Sequence, residues 1–190
     1  MDLGHHQQAA ALTGAARPCY DTASPRERAL LGMVHARSLA RTGDPKGASR
    51  ALLRVEDDPG DATRDGDEPS RVWFFGQASL AHETARTLQA MGDLTWVQAA
   101  FERSIQRREG SFSRTHAVTL GYLGEIQVAR GEMDAACSTW SRALDAMDGV
   151  RSGRARATVQ TMRSMLSTVR RRGIPAADAV DRRAAEILRG

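Results

Sequence analysis

The sequence predicts an all-α protein built from antiparallel helix pairs stacked in a row, and three observations predict it. A short pattern recurs: a basic or small residue, Gly and usually an acid, ahead of an Ala-rich amphipathic run. It occurs at Thr42-Gly43-Asp44, Met91-Gly92-Asp93, Arg130-Gly131-Glu132 and, more weakly, Arg172-Gly173-Ile174, with Leu3-Gly4-His5 as a fifth instance. Between these signals apolar residues return at three- and four-residue steps, as on one face of a helix. No stretch alternates long enough for a strand.

The glycines at 4, 43, 92, 131 and 173 are 39, 49, 39 and 42 residues apart. Each fits the tight turn of a helix pair, where a residue with φ > 0 ends the first helix and an acid suits the next N-terminus. A partial unit over 1–24 is followed by a complete pair over 25–55, whose stripe is Leu30, Leu31, Val34 and Leu39. An acidic loop over 56–69 then explains the one long interval. Asp57-Asp58-Pro59-Gly60-Asp61 and Asp65-Gly66-Asp67-Glu68-Pro69 join turn formers to like charge and sustain no helix. Further pairs follow over 70–110, 111–149 and 150–190, all in one domain, 1–190. In the 111–149 pair Val118, Leu120, Leu123, Ile126 and Val128 precede Gly131, and Met133, Ala136, Trp140, Ala143, Leu144 and Met147 follow it.

A chain of 190 residues suffices for a short solenoid without staples. Its two cysteines, Cys19 and Cys137, show neither C-x-x-C nor Cys/His metal spacing, which suits a reducing, cytoplasmic interior. No apolar run approaches the length of a membrane span, and the N-terminus lacks the basic flank and apolar run of an export signal. Lys46 is the sole lysine among many arginines and alanines, the bias of a GC-rich, actinobacterial coding sequence. The net charge of +4 is uneven, with acids between Glu56 and Glu68 and ten arginines from Arg151 onward.

The repeat resembles the tetratricopeptide repeat: a small residue where paired helices approach, the turn Gly, Ala five residues later and a bulky residue four beyond. The 111–149 pair matches best, with Leu123-Gly124, Gly131, Ala136, Trp140 and Ala143. The second pair has Ala85, Gly92, Val97 and Phe101, and the first has Ala36, Gly43, Ala48 and Leu52. The period exceeds the usual tetratricopeptide length of about 34 residues. The resemblance implies a tetratricopeptide-like α-solenoid. A narrower resemblance is to the C-terminal repeat regions of actinobacterial helix-turn-helix regulators of the XRE type. It is carried by Glu68-Pro69, Trp73-Phe74-Phe75, Ala78-Ser79-Leu80-Ala81, Gly92-Asp93 and Arg151-Ser152-Gly153-Arg154. That family implies sensing or partner binding coupled to DNA binding through a domain this chain lacks. Met1 stands just before a repeat turn, as in a truncated chain, a late start or a stand-alone relative.

Catalytic signatures fail on inspection. His82-Glu83 would need a second histidine at position 86 to form a zinc protease helix, and Arg86 stands there. There is no phosphate-binding G-x-x-x-x-G-K-[ST], and Val150-Arg151-Ser152-Gly153 is not a nucleophile elbow. The expectation is a chain that is not an enzyme, with no metal and no cofactor. His5, His6, His35, His82 and His116 are read as ordinary helix or turn residues. Trp73-Phe74-Phe75, Trp96, Phe101, Tyr122 and Trp140 are read as packing residues, with one of the three consecutive aromatics turned outward.

In tetratricopeptide proteins the concave groove is lined from the leading helix of each pair. The residues ten, six and two places before each turn Gly are Met33, Arg37 and Arg41; His82, Arg86 and Ala90; Gly121, Glu125 and Ala129; and Arg163, Ser167 and Arg171. The expected ligand-binding track is therefore Arg37, Arg41, His82, Arg86, Gln89, Glu125, Arg163, Arg170 and Arg171. Arginine forks suit a carboxylate or acidic peptide; a merely solvated basic face is the bland alternative. The expected function is a non-catalytic binding module of a regulator, with a peptide, protein or small acidic ligand as partner, a homodimer being open. The rivals are a dimerisation scaffold and nucleic-acid binding through the basic C-terminal helices. No aromatics interleave the arginines after Trp140, which weakens the second rival.

Limited proteolysis of the native chain is expected to cut first between residues 56 and 69; first cleavage elsewhere contradicts the loop assignment.

Overall fold

Residues 5–57, 72–108, 113–150, 152–169 and 174–189 are described by a computed structural model, and among them the chain is all-helical, with no strand. The helices are α1 (His6–Ala15), α2 (Pro25–Arg41), α3 (Pro45–Asp57), α4 (Gln77–Met91), α5 (Leu94–Gln106), α6 (Ser113–Ala129), α7 (Met133–Ala146), α8 (Gly153–Val169) and α9 (Pro175–Arg189). A 3-10 turn, Arg17–Thr22, joins α1 to α2. The expected turns at Gly4 and Gly173, and the acidic loop beyond Asp57, lie outside the described residues.

Three turn glycines have the backbone the spacing predicts, with φ of 84° at Gly43, 79° at Gly92 and 81° at Gly131. In each, the Gly N–H returns to the carbonyl three residues back and the next N–H to the carbonyl five back. Gly43 donates to Ala40 at 3.3 Å and Asp44 to Leu39 at 2.9 Å; Gly92 to Gln89 and Asp93 to Leu88, both at 3.1 Å; Gly131 to Val128 at 2.9 Å and Glu132 to Gln127 at 2.8 Å. This paired bonding is the Schellman closure, and it satisfies carbonyls that the ending helix leaves open. The acid after the glycine then starts the next helix. Asp44 Oδ1 accepts from the Gly47 N–H at 2.8 Å, an N-cap contact.

The chain divides into two compact units, Met1–Ser104 and Ile105–Gly190. In the first, Ser24 caps α2 through a reciprocal box: Glu27 N–H donates to Ser24 Oγ at 3.4 Å and Ser24 N–H to Glu27 Oε2 at 2.9 Å. Helix α2 packs against α1, α3 and α4. Met33, Ala36, Ala51, Leu52 and Phe75 form the core there. Helix α5 is tied to α4 where Ser104 Oγ donates to the Ala78 carbonyl at 2.6 Å. In the second unit α6 packs against α7 and α8, and α9 against α7 and α8. Its core includes Leu120, Trp140, Leu144, Val159, Met162 and Val180.

Small and bulky residues fall in register in both units. Ala36, Ala85 and Gly124, seven before the turn glycines, are buried, as are Ala48, Val97 and Ala136 five after, and Leu52, Phe101 and Trp140 nine after. At Gly124 the reason is explicit, since a Cβ would collide with the indole of Trp140. That ring lies flush on α6 and its Nε1 donates to the Gly121 carbonyl at 3.1 Å.

The aromatic expectation needs correction. Trp73, Phe74 and Trp96 are exposed, at 62%, 47% and 61%, while Phe75, Phe101 and Trp140 are buried. Residues 72–76 form the turn entering α4, where Phe75 N–H bonds the Val72 carbonyl at 2.9 Å and Gly76 precedes the helix. Val72 and Phe75 share the inward side of that turn, which sends the two residues between them outward.

Two substitutions separate the turn from the packing. Gly131→Val, with nothing within 4 Å of its Cβ position, is expected to lose about 1 kcal/mol or more from backbone strain alone. Gly124→Ala is expected to lose about 1–3 kcal/mol by displacing Trp140. Chemical denaturation measures both, and wild-type stability in either variant contradicts its mechanism.

Candidate functional site

The residues that the turn register assigns to a groove fall on two units, and each unit is a separate setting for them. In the first unit, Arg37 on α2 and His82, Arg86 and Gln89 on α4 lie on helices that pack together. Arg37 Nη1 meets Glu83 Oε2 at 3.0 Å, with side-chain exposures of only 12% and 23%. The Arg37 charge is thus opposed by a carboxylate across the helix pair, a partner the track did not include. Arg86 Nη1 donates to Gln89 Oε1 at 2.7 Å. That bond holds one edge of the guanidinium fork against the Gln89 amide oxygen, one turn further along α4. The His82 ring stands edge-on to Phe101, with centroids 5.7 Å apart and planes at 66°. Its position is a packing one.

Arg41, in the last turn of α2, donates from Nε to His6 Nε2 at 3.3 Å. The two residues border an open cleft of about 520 Å³ that also takes in His5, Gln7, Gln8 and Thr42. Met33, ten before Gly43, is 1% exposed and belongs to the core, and Gly121 is buried where a Cβ would strike the Thr158 side chain of α8. Met33 shares its core with Ala51 and Leu52 of α3, and Gly121 faces α8.

In the second unit Arg163 on α8 is bound by Asp181 of α9, Nε to Oδ1 at 2.8 Å. The Asp181 hydrogen bond and charge hold the guanidinium proton still more firmly than usual. Glu125 stands half-buried on α6. Arg170 and Arg171 lie outside the described residues.

Sequence reasoning passed over one cationic cluster in the second unit. His116 on α6 feels Arg142 of α7 and Arg108 of the turn before α6. Burial first, then those two charges, push the imidazole pKa below its ordinary value of 6.5. Burial likewise lowers Arg108, which is 9% exposed. His116 Nδ1 is buried without a hydrogen-bond partner among the described residues. Separations of 8 and 26 residues give no linear signal that these groups meet.

Burial and the nearby Asp134 raise the Cys137 thiol, keeping it protonated and a weak nucleophile. No group of three or more His, Cys, Asp or Glu side chains suited to a metal ion occurs among the described residues. None of the described helices is long and apolar enough to cross a membrane.

A lowered histidine pKa has a definite sign. The unfolded chain binds the proton more readily, so the contribution of neutral His116 is fully present above pH 6.5 and is lost as pH falls toward the folded-state value. His116→Gln is expected to flatten the fall in stability between about pH 6.5 and 5. Parallel denaturation curves of the two proteins at both pH values check this, and an unchanged slope contradicts it.

Compared with known proteins, the chain matches no family model, no curated protein and no solved structure.

Proposed function

We propose that this chain is a non-catalytic binding module of a bacterial regulator, a cytoplasmic protein of the actinobacterial type, built as a tetratricopeptide-like α-solenoid. One observation carries the reading: three helix hairpins close with the same glycine turn and bury the same register of small and bulky residues. Repetition of a hairpin is how solenoids generate extended binding surfaces without a catalytic pocket. The ligand class is drawn from the forked guanidinium of Arg86, which Gln89 orients and whose geometry matches the two oxygens of a carboxylate, as in an acidic peptide. Arg37 supports that site by holding Glu83, and Arg163 serves Asp181.

A second reading is favoured by the exposed Trp73, Phe74 and Trp96, which are large apolar side chains of the kind enriched at protein interfaces. On that reading the module is a dimerisation or scaffold element. Nucleic-acid binding through the C-terminal helices has less support, because Arg156, Arg163 and Arg183 bond within the protein, to Leu188 O, Asp181 and Asp145.

Acidic peptides are expected to bind with modest affinity that falls with salt, and Arg86→Glu to weaken binding about tenfold or more. Fluorescence anisotropy with an acidic peptide library checks this. Equal binding by both proteins removes the α4 face from the account; concentration-dependent sedimentation lost in Trp96→Ser then favours the scaffold.

A further inference from the structure

The first turn of α2 straps two other segments of the first unit to itself and leaves a cavity between them. Arg28 Nη1 donates to the Ala23 carbonyl at 2.8 Å, holding the end of the 3-10 turn. Arg26 Nη1 donates to the Trp73 carbonyl at 3.4 Å, holding the turn that enters α4. The space between them measures about 470 Å³, and its apolar lining is Ala23, Leu30 and Leu31 of α2, and Val72.

Both walls are also fixed by their own backbone. Ala23 N–H returns to the Tyr20 carbonyl at 3.2 Å and Phe75 N–H to the Val72 carbonyl at 2.9 Å. Leu30 and Leu31 stand half-buried, and Leu30 packs against the core of the first unit, so the cavity floor continues that core toward solvent. Glu27 gives the lining its formal charge, and among the described residues no basic side chain lines the space. Its carboxylate accepts from the Ser24 N–H at 2.9 Å in the first turn of α2, where negative charge is set against the helix end. The Thr22 hydroxyl, also in the lining, donates to the Cys19 carbonyl at 3.2 Å, so it meets a ligand as an acceptor.

We propose that this cavity binds an uncharged apolar small molecule carrying a single N–H or O–H donor. The volume lies within the range of about 300 to 1,000 Å³ usual for such sites, and the walls are mainly apolar. Filling the space removes Leu31 and its neighbours from water. The Glu27 carboxylate opposes an anion, and the helix end it serves offsets its pull on a cation. The Thr22 hydroxyl accepts the one donor. Because Arg26 and Arg28 hold both walls before a ligand arrives, little ordering is spent on binding. The site does not rest on the acidic-peptide reading, since it uses neither Arg37 nor Arg86 and favours the opposite ligand chemistry.

The test is titration of the full chain with indole and, separately, with indole-3-carboxylate, followed through the Leu31 and Val72 amide resonances. Saturable shifts with a Kd of about 1 mM or tighter, insensitive to salt, are expected for indole, and far weaker binding for the carboxylate. Leu31→Trp fills the cavity and should weaken indole binding tenfold or more. Thr22→Val, at an exposed position, should keep the melting temperature and weaken indole while leaving 1-methylindole unchanged. Glu27→Gln keeps the capping box and should admit indole-3-carboxylate without loss of indole binding. Arg86→Glu should change none of these. Non-saturating indole shifts, equal binding of indole and its carboxylate by the wild type, or wild-type indole binding by both Leu31→Trp and Thr22→Val overturn the proposal.

Discussion

The reversal of the chain at a left-handed glycine is the constraint on which the rest of the structure depends. With φ near 80° at Gly43, Gly92 and Gly131, the backbone turns within two residues while its last carbonyls stay bonded. A turn that short fixes the register of the two helices it joins, since neither can slide without breaking the closure bonds. Register then decides which side chains meet. Gly124 receives the Trp140 ring, and the indole N–H reaches a backbone oxygen within α6. The polar edge of the largest buried side chain is thereby satisfied, as burial of a donor requires.

Small hydroxyls let the leading helices pack closely on their other faces without stranding polar groups. Ser38 and Thr87, and likewise Thr119 and Thr158, are buried and each donates to the carbonyl four residues back, from 2.7 to 3.0 Å. Such bonds stay inside one helix and require nothing of the neighbour. Charged groups behave differently, because they find partners on adjacent helices. Arg37–Glu83 is half-shielded and couples α2 to α4, while Arg183–Asp145 is exposed and adds little to stability. Most arginines of the expected track are therefore engaged with protein groups.

Element type and register were legible in the sequence because both are local. The turn glycines need only their own backbone freedom, and a stripe such as Ala136, Trp140, Ala143 and Met147, all buried, reflects the helical period. The same register placed Ala36, Ala85 and Gly124 opposite Leu52, Phe101 and Trp140, and all six are buried. The candidate site was legible only as far as the helices that carry it. Arg37 meets a carboxylate 46 residues away, and Arg86 is linked to Gln89 within its own turn; no linear pattern tells those outcomes apart.

What the sequence by itself determined is a set of amphipathic helix hairpins, since helical period and glycine turns act over a few residues. Only the tertiary structure decided that Met33 and Gly121 face neighbouring helices and that Trp73 and Phe74 turn outward beside the buried Phe75. It likewise brought Leu31 and Val72 around one cavity and gathered Arg108 and Arg142 about His116. The physical reason is that burial and charge pairing depend on which helix covers which face. That choice is made by packing between segments far apart in the chain, where side-chain identity alone carries no address.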